Sequence, residues 1–368
     1  MLVAGLWPFH HPKNDVTWLE NENGLRFGHH ATVFSAGTFE APTGDDETSY
    51  SLEIWVEPDL PWNSSTLLAF HSPENPVEFS LRQSNGALEL QSHAHSRAPQ
   101  SRVSRLYVNN VFPHRKHVFI TVTSGAQQTA IYLNGVLVRS SRDFQLSTES
   151  LDGQMVLGTS PVESDSWSGR LRGLAIYGSE LKAADVLRHY QTWTKAGQPD
   201  IAPSERIAAL YLFDEHAGNV VHGRIGSGLD LHIPYRYVLV DQILLERPWQ
   251  EFEPSWRYCK DVLINIAGFI PLGFFFYAYL LSTLQIKRAA ITTVIFGAAL
   301  SLTIEVLQAF LPTRFSGTTD LITNTLGTWV GVKLYGFGPA RNLFARALNG
   351  VSAAVVLFLR LAGAAPAS

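Results

Sequence analysis

The chain has 368 residues, 46% hydrophobic and 16% charged, with a formal net charge of −4 and a single cysteine. Charged residues are well below the globular average of about 25%; a mean hydropathy of +0.03 is too apolar for disorder and too polar for a chain that is membrane throughout. No Lys/Arg run exceeds a pair, which argues against a nucleic-acid partner, and the lone Cys259 leaves no intramolecular disulfide and no cysteine-based zinc site. The averages conceal a division: all thirteen histidines lie at or before His232, whereas residues 257–336 carry nine charged side chains.

In chain order, residues 1–9 are apolar but too short to span a bilayer, which takes about 20 residues, and they lack the basic start of a signal peptide. From about residue 27 to 180, short stretches rich in β-branched and aromatic residues follow one another. They are YSLEIWV (50–56), STLLAF (65–70), VEFSLR (77–82), ALELQS (87–92), HVFITVT (117–123), TAIYLNGVLVRSS (129–141), QMVLG (154–158) and RLRGLAIYG (170–178). Gly, Pro, Asn, Asp and Ser punctuate them, as expected of strands and turns. Asn134-Gly135 is a strong hairpin signal, because both central residues of a type I′ turn need positive φ. Many strands without intervening helices predict an antiparallel sandwich. Residues 179–193 predict one amphipathic helix with Ser179 as its N-cap. Residues 207–234 read as a strand pair packed on the sandwich as an appendage, after the Pro-containing segment 198–205.

After residue 255 the pattern changes. Residues 262–284 hold 23 residues with no charge and predict a membrane span. A second span covers 289–311 and a shorter third covers 321–336; the apolar stretch around 350–363, with Arg360, is an interfacial segment or a frayed fourth span. The fold class is therefore multidomain: an all-β jelly-roll sandwich plus an all-α transmembrane helical bundle.

Charged side chains inside spans cost at least about 2.5–3.5 kcal/mol each and need partners or a purpose. Asp261 and Asn265 are i, i+4 at the start of the first span, Glu305 and Gln308 are i, i+3 near the end of the second, and Asp320 and Asn324 are i, i+4 at the start of the third. Arg314 lies in the intervening loop. Alternating topology brings these seven residues to one rim of the bundle, with Arg314 within reach of Glu305 or Asp320. Such a rim is either interhelical glue or a site for a phosphate- or carboxylate-bearing head group held by bidentate Arg contacts, with an acid as general base. No nucleophile is apparent, so no catalytic residue is assigned. Gly327 and Gly331 form a G-x-x-x-G pair that reads as close helix packing.

Two resemblances follow. The stretches SYSLEIWVEP, HVFITVTSGAQQTAIYLNGVLVRSS and SGRLRGLAIYGSELKAADVLRHY make residues 27–195 resemble the LamG-like, concanavalin A-like jelly roll. The blocks D-x-x-x-N-I-x-G-F-I-P-L-G-F (261–274), E-x-x-Q-x-F-L-P-x-R (305–314) and D-x-x-x-N-x-x-G-x-x-x-G (320–331) make roughly 235–340 resemble the VanZ-like membrane family, which is linked to glycopeptide-antibiotic resistance. The second resemblance implies envelope biology rather than a reaction. Relatives begin with a further membrane helix followed by a loop that WPFHHPKN (7–14) resembles. The jelly roll is then expected to be inserted between the first and second spans, with residues 1–9 the tail of a missing helix and the native start upstream.

The domains read as a lead-in (1–26), a jelly roll (27–195), a linker with a β-hairpin appendage (196–255), a VanZ-like transmembrane domain (256–340) and an apolar tail (341–368). Lys287, Arg288, Lys333, Arg341 and Arg346 on one side, against Arg257, Lys260 and Arg314 near the other, put the jelly roll outside the cytoplasm of a multi-pass cell-membrane protein.

No metal is assigned. His93 and His95 share a strand face without a third ligand, the pairs His10-His11 and His29-His30 point apart if extended, and 45–47 reads as a solvated turn. Some LamG relatives hold calcium through carboxylates and carbonyls, but no Asp-rich loop of that kind stands out, so calcium stays only a minor alternative. Trp55, Trp62, Trp167 and Tyr107 are candidates for stacking on sugars. Two functions compete: a non-enzymatic envelope protein whose jelly roll binds glycan or another envelope component, and a membrane enzyme or transport factor using Asp261, Glu305, Arg314 and Asp320 on a lipid-linked envelope substrate.

Overall fold

The computed structural model describes residues 11–41, 49–73, 77–93, 103–225, 229–242, 244–252, 256–314 and 316–338. These divide into two compact units, within His10–Gln242 and from Ile243 onward. The expectations for residues 1–9, His95 and the stretch around 350–363 fall outside the described residues.

The first unit holds the strands β1 (Val16–Trp18), β2 (Leu25–Phe27), β3 (Val33–Phe39), β4 (Tyr50–Pro58), β5 (Ser64–His71), β6 (Phe79–Ser84), β7 (Ala87–His93), β8 (Val103–Val108), β9 (Val118–Ser124), β10 (Thr129–Leu133), β11 (Val136–Ser141), β12 (Gly153–Leu157), β13 (Gly169–Tyr177), β14 (Ile207–Tyr211), β15 (Val220–Val221) and β16 (Leu231–His232). They make two eight-stranded antiparallel sheets, ordered β1-β2-β13-β4-β9-β10-β11 with β14 also on β13, and β15-β16-β3-β12-β5-β6-β7-β8. Alternation explains the layering. Leu52, Ile54 and Val56 of β4 join the buried core with Ile120, Val122, Leu174 and Ile176, opposite Phe70, Phe79, Leu81, Leu90 and Met155 of the second sheet.

The intervening residues of β4 face the other side of the first sheet. There the helix α1 (Ala183–Ala196) covers it, and Val186 and Trp193 pack on Phe119, Ala175, Tyr177 and Leu210. The turn between β10 and β11 has positive φ at both Asn134 and Gly135, 52° and 80°, matching the hairpin expectation.

Three expectations are corrected here. The helix begins at Ala183 rather than Ser179, with Lys182 at the N-cap and no side-chain cap; the Ser179 hydroxyl instead donates to Glu205 O at 2.8 Å. The lead-in and the supposed appendage are sheet members. β1 and β2 extend the first sheet from one end of β13, β14 pairs with the other end of the same strand, and β16 pairs with β3. Their apolar residues Leu25, Phe27, Tyr211 and Leu231 lie in the common core, so residues 207–232 are part of the sandwich and not only packed against it. Finally, His29 and His30 do not point apart. The chain bends there, and their rings stack with centroids 4.4 Å apart.

The second unit comprises a one-turn helix Pro248–Glu251 and the helices α2 (Trp256–Ser282), α3 (Ala289–Gln308) and α4 (Thr318–Gly336). α4 packs against both α2 and α3. By length and composition α2 and α3 are long and apolar enough to cross a membrane. α4, the expected third span, is a 19-residue helix that carries Asp320 and Lys333. A Cβ on Gly327 would stand 2.2 Å from Ile266 O, and one on Gly331 2.2 Å from Ile270 O, so α2 and α4 touch backbone to backbone.

Candidate functional site

The end of the helical unit where α2 starts, α3 stops and α4 starts gathers the polar residues singled out above. Glu305, 1% exposed, lies in the last turn of α3 and accepts a hydrogen bond through Oε2 from the Gly317 N–H at 2.9 Å. Gly317 is the N-cap of α4, so Glu305 supplies from a neighbouring helix the acceptor that the N3 acid of a capping box would provide. A carboxylate there also faces the positive end of the α4 dipole.

Asp320, three residues on, accepts from Asn265 Nδ2 of α2 at 2.7 Å. Buried Asn324 donates to Ser301 Oγ of α3 at 3.0 Å. Three side-chain hydrogen bonds thus tie the start of α4 to both neighbours. Gln308 is buried one turn beyond Glu305, and Arg314 is part-buried in the loop, with its backbone N–H on Leu311 O at 2.9 Å. Asp261 stands apart: its side chain is exposed on the first turns of α2. Gly327 and Gly331 lie further along α4, at its close approach to α2.

A strap that the sequence did not reveal completes this end. Glu246 pairs with Gly317 in a parallel bridge; its N–H donates to Ser316 O at 2.9 Å and its carbonyl accepts from Thr318 N–H at 3.0 Å. The Leu245 N–H donates to Ser316 Oγ at 3.2 Å, and Leu245 O accepts from Thr318 Oγ1 at 3.2 Å. Pro248, just beyond these residues, opens the one-turn helix Pro248–Glu251.

In the sandwich, the four candidate aromatics separate by environment. Trp167 is core, with Nε1 donating to Gln83 Oε1 at 2.9 Å. Trp55 is half-buried under Arg172, whose guanidinium lies 5.5 Å from its ring. Tyr107 is exposed along one face and donates to Glu89 at 2.5 Å. Trp62, in the β4–β5 loop, is 76% exposed, with its ring edge beside the Asn85-Gly86 turn.

Two ionic networks, one buried and one partly exposed, escaped the sequence reading because their members lie far apart in the chain. His189 of α1, wholly buried, sits between Glu53 Oε1 and Glu205 Oε2, each 3.1 Å from a ring nitrogen. Burial alone lowers its pKa, but the two carboxylates outweigh burial and hold it above the ordinary histidine value. Tyr177 and Trp193 donate to Glu53, and Arg188 pairs with Glu205. In the second network Arg172 grips Glu22 with both terminal nitrogens, at 2.5 and 2.7 Å, while Glu57 receives Arg170 and His117. The hydrogen bond from Arg172 keeps the Glu22 carboxyl below its usual range. Among the described residues no group of three or more His, Cys, Asp or Glu is placed to hold a metal ion.

Two family models match the chain, and the second begins within the sandwich, at β14, rather than at the start of the helical unit. Residues 31–187 match the concanavalin A-like lectin/glucanase superfamily, and residues 210–338 match the VanZ/LLP1 family. Over 78 residues, 21% of this chain, the sequence is 35% identical to Protein VanZ of Enterococcus faecium; the match spans 45% of that protein's length. Similar folds include the ligand binding domain of botulinum neurotoxin serotype D, solved with N-acetylneuraminic acid (15% identity, TM-score 0.39, covering 59% of this chain and 56% of that one). The heptameric SAP-like pentraxin of Limulus polyphemus is another (13% identity, TM-score 0.36, 62% and 94% covered).

Proposed function

We propose that this protein is an integral membrane protein of the cell envelope whose lectin-type sandwich binds an envelope glycan on the extracytoplasmic side. A VanZ-like helical region joined to a lectin-like sandwich is the composition of a membrane envelope protein. The supporting observation is the outward face of α2 and α3: Leu263, Ile264, Ile291 and Ile295 are all exposed. Apolar rows of that length are stable against lipid and not against water. For glycan recognition the support is Trp62, a rigid exposed ring that can stack on a sugar face.

The polar end of the helices is better read as the clasp that registers α4 than as a reaction centre, because Glu305 is committed to a backbone amide and Asn265 to Asp320. The test is retention of the full chain, in detergent micelles, on purified peptidoglycan sacculi. The expected result is retention that Trp62→Ala weakens without loss of folded protein. Failure to sediment with sacculi would remove the glycan assignment and leave the membrane one.

A further inference from the structure

We propose that residues 244–252 and the first turn of α2 form an in-plane strap that docks on the phospholipid head-group layer; this rests on the bilayer reading above. Trp249, Phe252 and Trp256 are 72%, 61% and 80% exposed, and Leu244 beside them is exposed too. Phe252 meets the Tyr258 ring edge-on at 5.5 Å, yet all four of these large apolar side chains keep more than half of their surface exposed. The strap is nevertheless not loose: the bridge of Glu246 to Gly317 and the Leu245 hydrogen bonds fasten it to the start of α4. An ordered segment that presents its largest aromatics outward is built to meet something.

Position identifies that partner as lipid. The strap precedes α2 in the sequence, Trp256 belongs to the first turn of that helix, and its uncharged stretch starts at Val262, where the exposed apolar row begins with Leu263 and Ile264. Phe310, just beyond the end of α3 and thus at the same end of the unit, is likewise exposed. Aromatic rings, and Trp above all, favour the boundary between acyl chains and water, where the ring is desolvated and the indole N–H keeps a polar partner. Arg247 lies over the Trp249 ring at 5.8 Å, and Lys260 is exposed one turn into α2. Both cations are placed for lipid phosphates, although Asp261 adds an opposing charge nearby. Because the strap is bonded to the N-terminus of α4, docking it sets the depth of Glu305 and Asp320 as well.

The test uses the full chain in phosphatidylcholine vesicles. Cys259, the sole cysteine, is replaced (Cys259→Ser), and Trp249→Cys, Trp256→Cys or Ile295→Cys is labelled with an environment-sensitive fluorophore. Quenching is compared for nitroxides on the lipid head group, nitroxides at carbon 12 of the acyl chain, and aqueous iodide. The expected result is that positions 249 and 256 lose most emission to the head-group nitroxide and are shielded from iodide, while 295 loses most to the deep one. Quenching at 249 and 256 by iodide alone, or by the deep nitroxide first, with 295 still deep, overturns the strap and leaves the bilayer reading intact. Shielding of 249 and 256 from every quencher points to a protein partner or second copy and also overturns it. No lipid quenching at 295 overturns the bilayer reading and the strap with it.

Discussion

His189 shows how a single side chain can fasten a helix to a sheet. Both its ring nitrogens meet buried carboxylates, so the imidazolium is the form the site holds, and its raised pKa has a definite consequence for stability. The stabilisation is fully present below the unfolded value of about 6.5 and is lost as pH rises through the folded value. His189→Ala leaves two buried acids facing each other, and an expected loss of about 3–5 kcal/mol is readable from thermal melting. Asp165 behaves in a related way for another reason. Burial raises its pKa to about 6 against the pull of Arg82 and of donors from Ser160 and Thr66. The folded state then binds its proton more tightly than the unfolded state, so stability falls as pH rises from about 3.8 to 6. Asp165→Asn is expected to flatten the melting temperature across that window; an unchanged slope would count against a buried carboxylate there. For Glu305, removal of the acceptor from the Gly317 N–H in Glu305→Ala is expected to cost about 1–3 kcal/mol, with Glu305→Gln milder. A parallel score of membrane abundance and envelope phenotype separates a clasp from a working site: loss of both means clasp, and loss of phenotype at normal abundance means site.

At the level of elements, the packing of α2 on α4 depends on missing side chains. A Cβ on Gly331 would meet Ile270 O at 2.2 Å and Phe274 N at 2.7 Å, whereas one on Gly268 would meet nothing within 4 Å. Gly331→Ala is therefore expected to destabilise the unit by roughly 1–3 kcal/mol. Gly268→Ala, in the same group of helices, is expected to be neutral or stabilising by up to about 1 kcal/mol. Equal effects on melting in micelles would refute the backbone contact. Legibility at this scale followed the strength of local patterns. Alternation located β4, β5, β9 and β13, and uncharged length located α2 and α3. Strand β3, with Ser35, Ala36 and Gly37 in its middle, was missed for want of an apolar rhythm, although pairing with β12 and β16 makes it central. The Asn85-Gly86 turn carried the same signal as Asn134-Gly135 and also has positive φ at both residues, 48° and 85°. The start of α1 was misjudged because Ser179 looked like a cap, while the fold uses that hydroxyl to hold Glu205 O.

For the molecule as a whole, two kinds of order coexist in one chain, and they differ in what a sequence can reveal. The helical unit advertised its polar residues by their rarity among apolar neighbours; spacing and the alternating direction of successive helices were enough to expect Asn265, Glu305, Asp320 and Asn324 at one end, though they also put Asp261 there, which stands apart. The strap at 244–246 could not, because it works through backbone groups. In the sandwich, polar residues are common, and neither ionic network could be distinguished from solvated surface until tertiary structure brought Glu53 to His189 and Glu22 to Arg172. For the proposed orientation, reporter fusions at Gly197 and Lys287 are expected to give opposite signals, with Gly197 extracytoplasmic. A cytoplasmic signal at Gly197 would reverse the assignment.

The sandwich is closed by its own two ends. Asn14 Nδ2 donates to Thr32 O and to Pro234 O, 220 residues away, and the Tyr237 N–H donates to Pro12 O. During synthesis the first strands must therefore wait for the last. At about 5–20 residues per second, a ribosome needs roughly 10–45 s to make that stretch, and contacts of such long range also fold slowly once present. That seam therefore stays open until residues 234–237 have been made, and a chain cut short before them is expected to leave Asn14 and Pro12 without these partners.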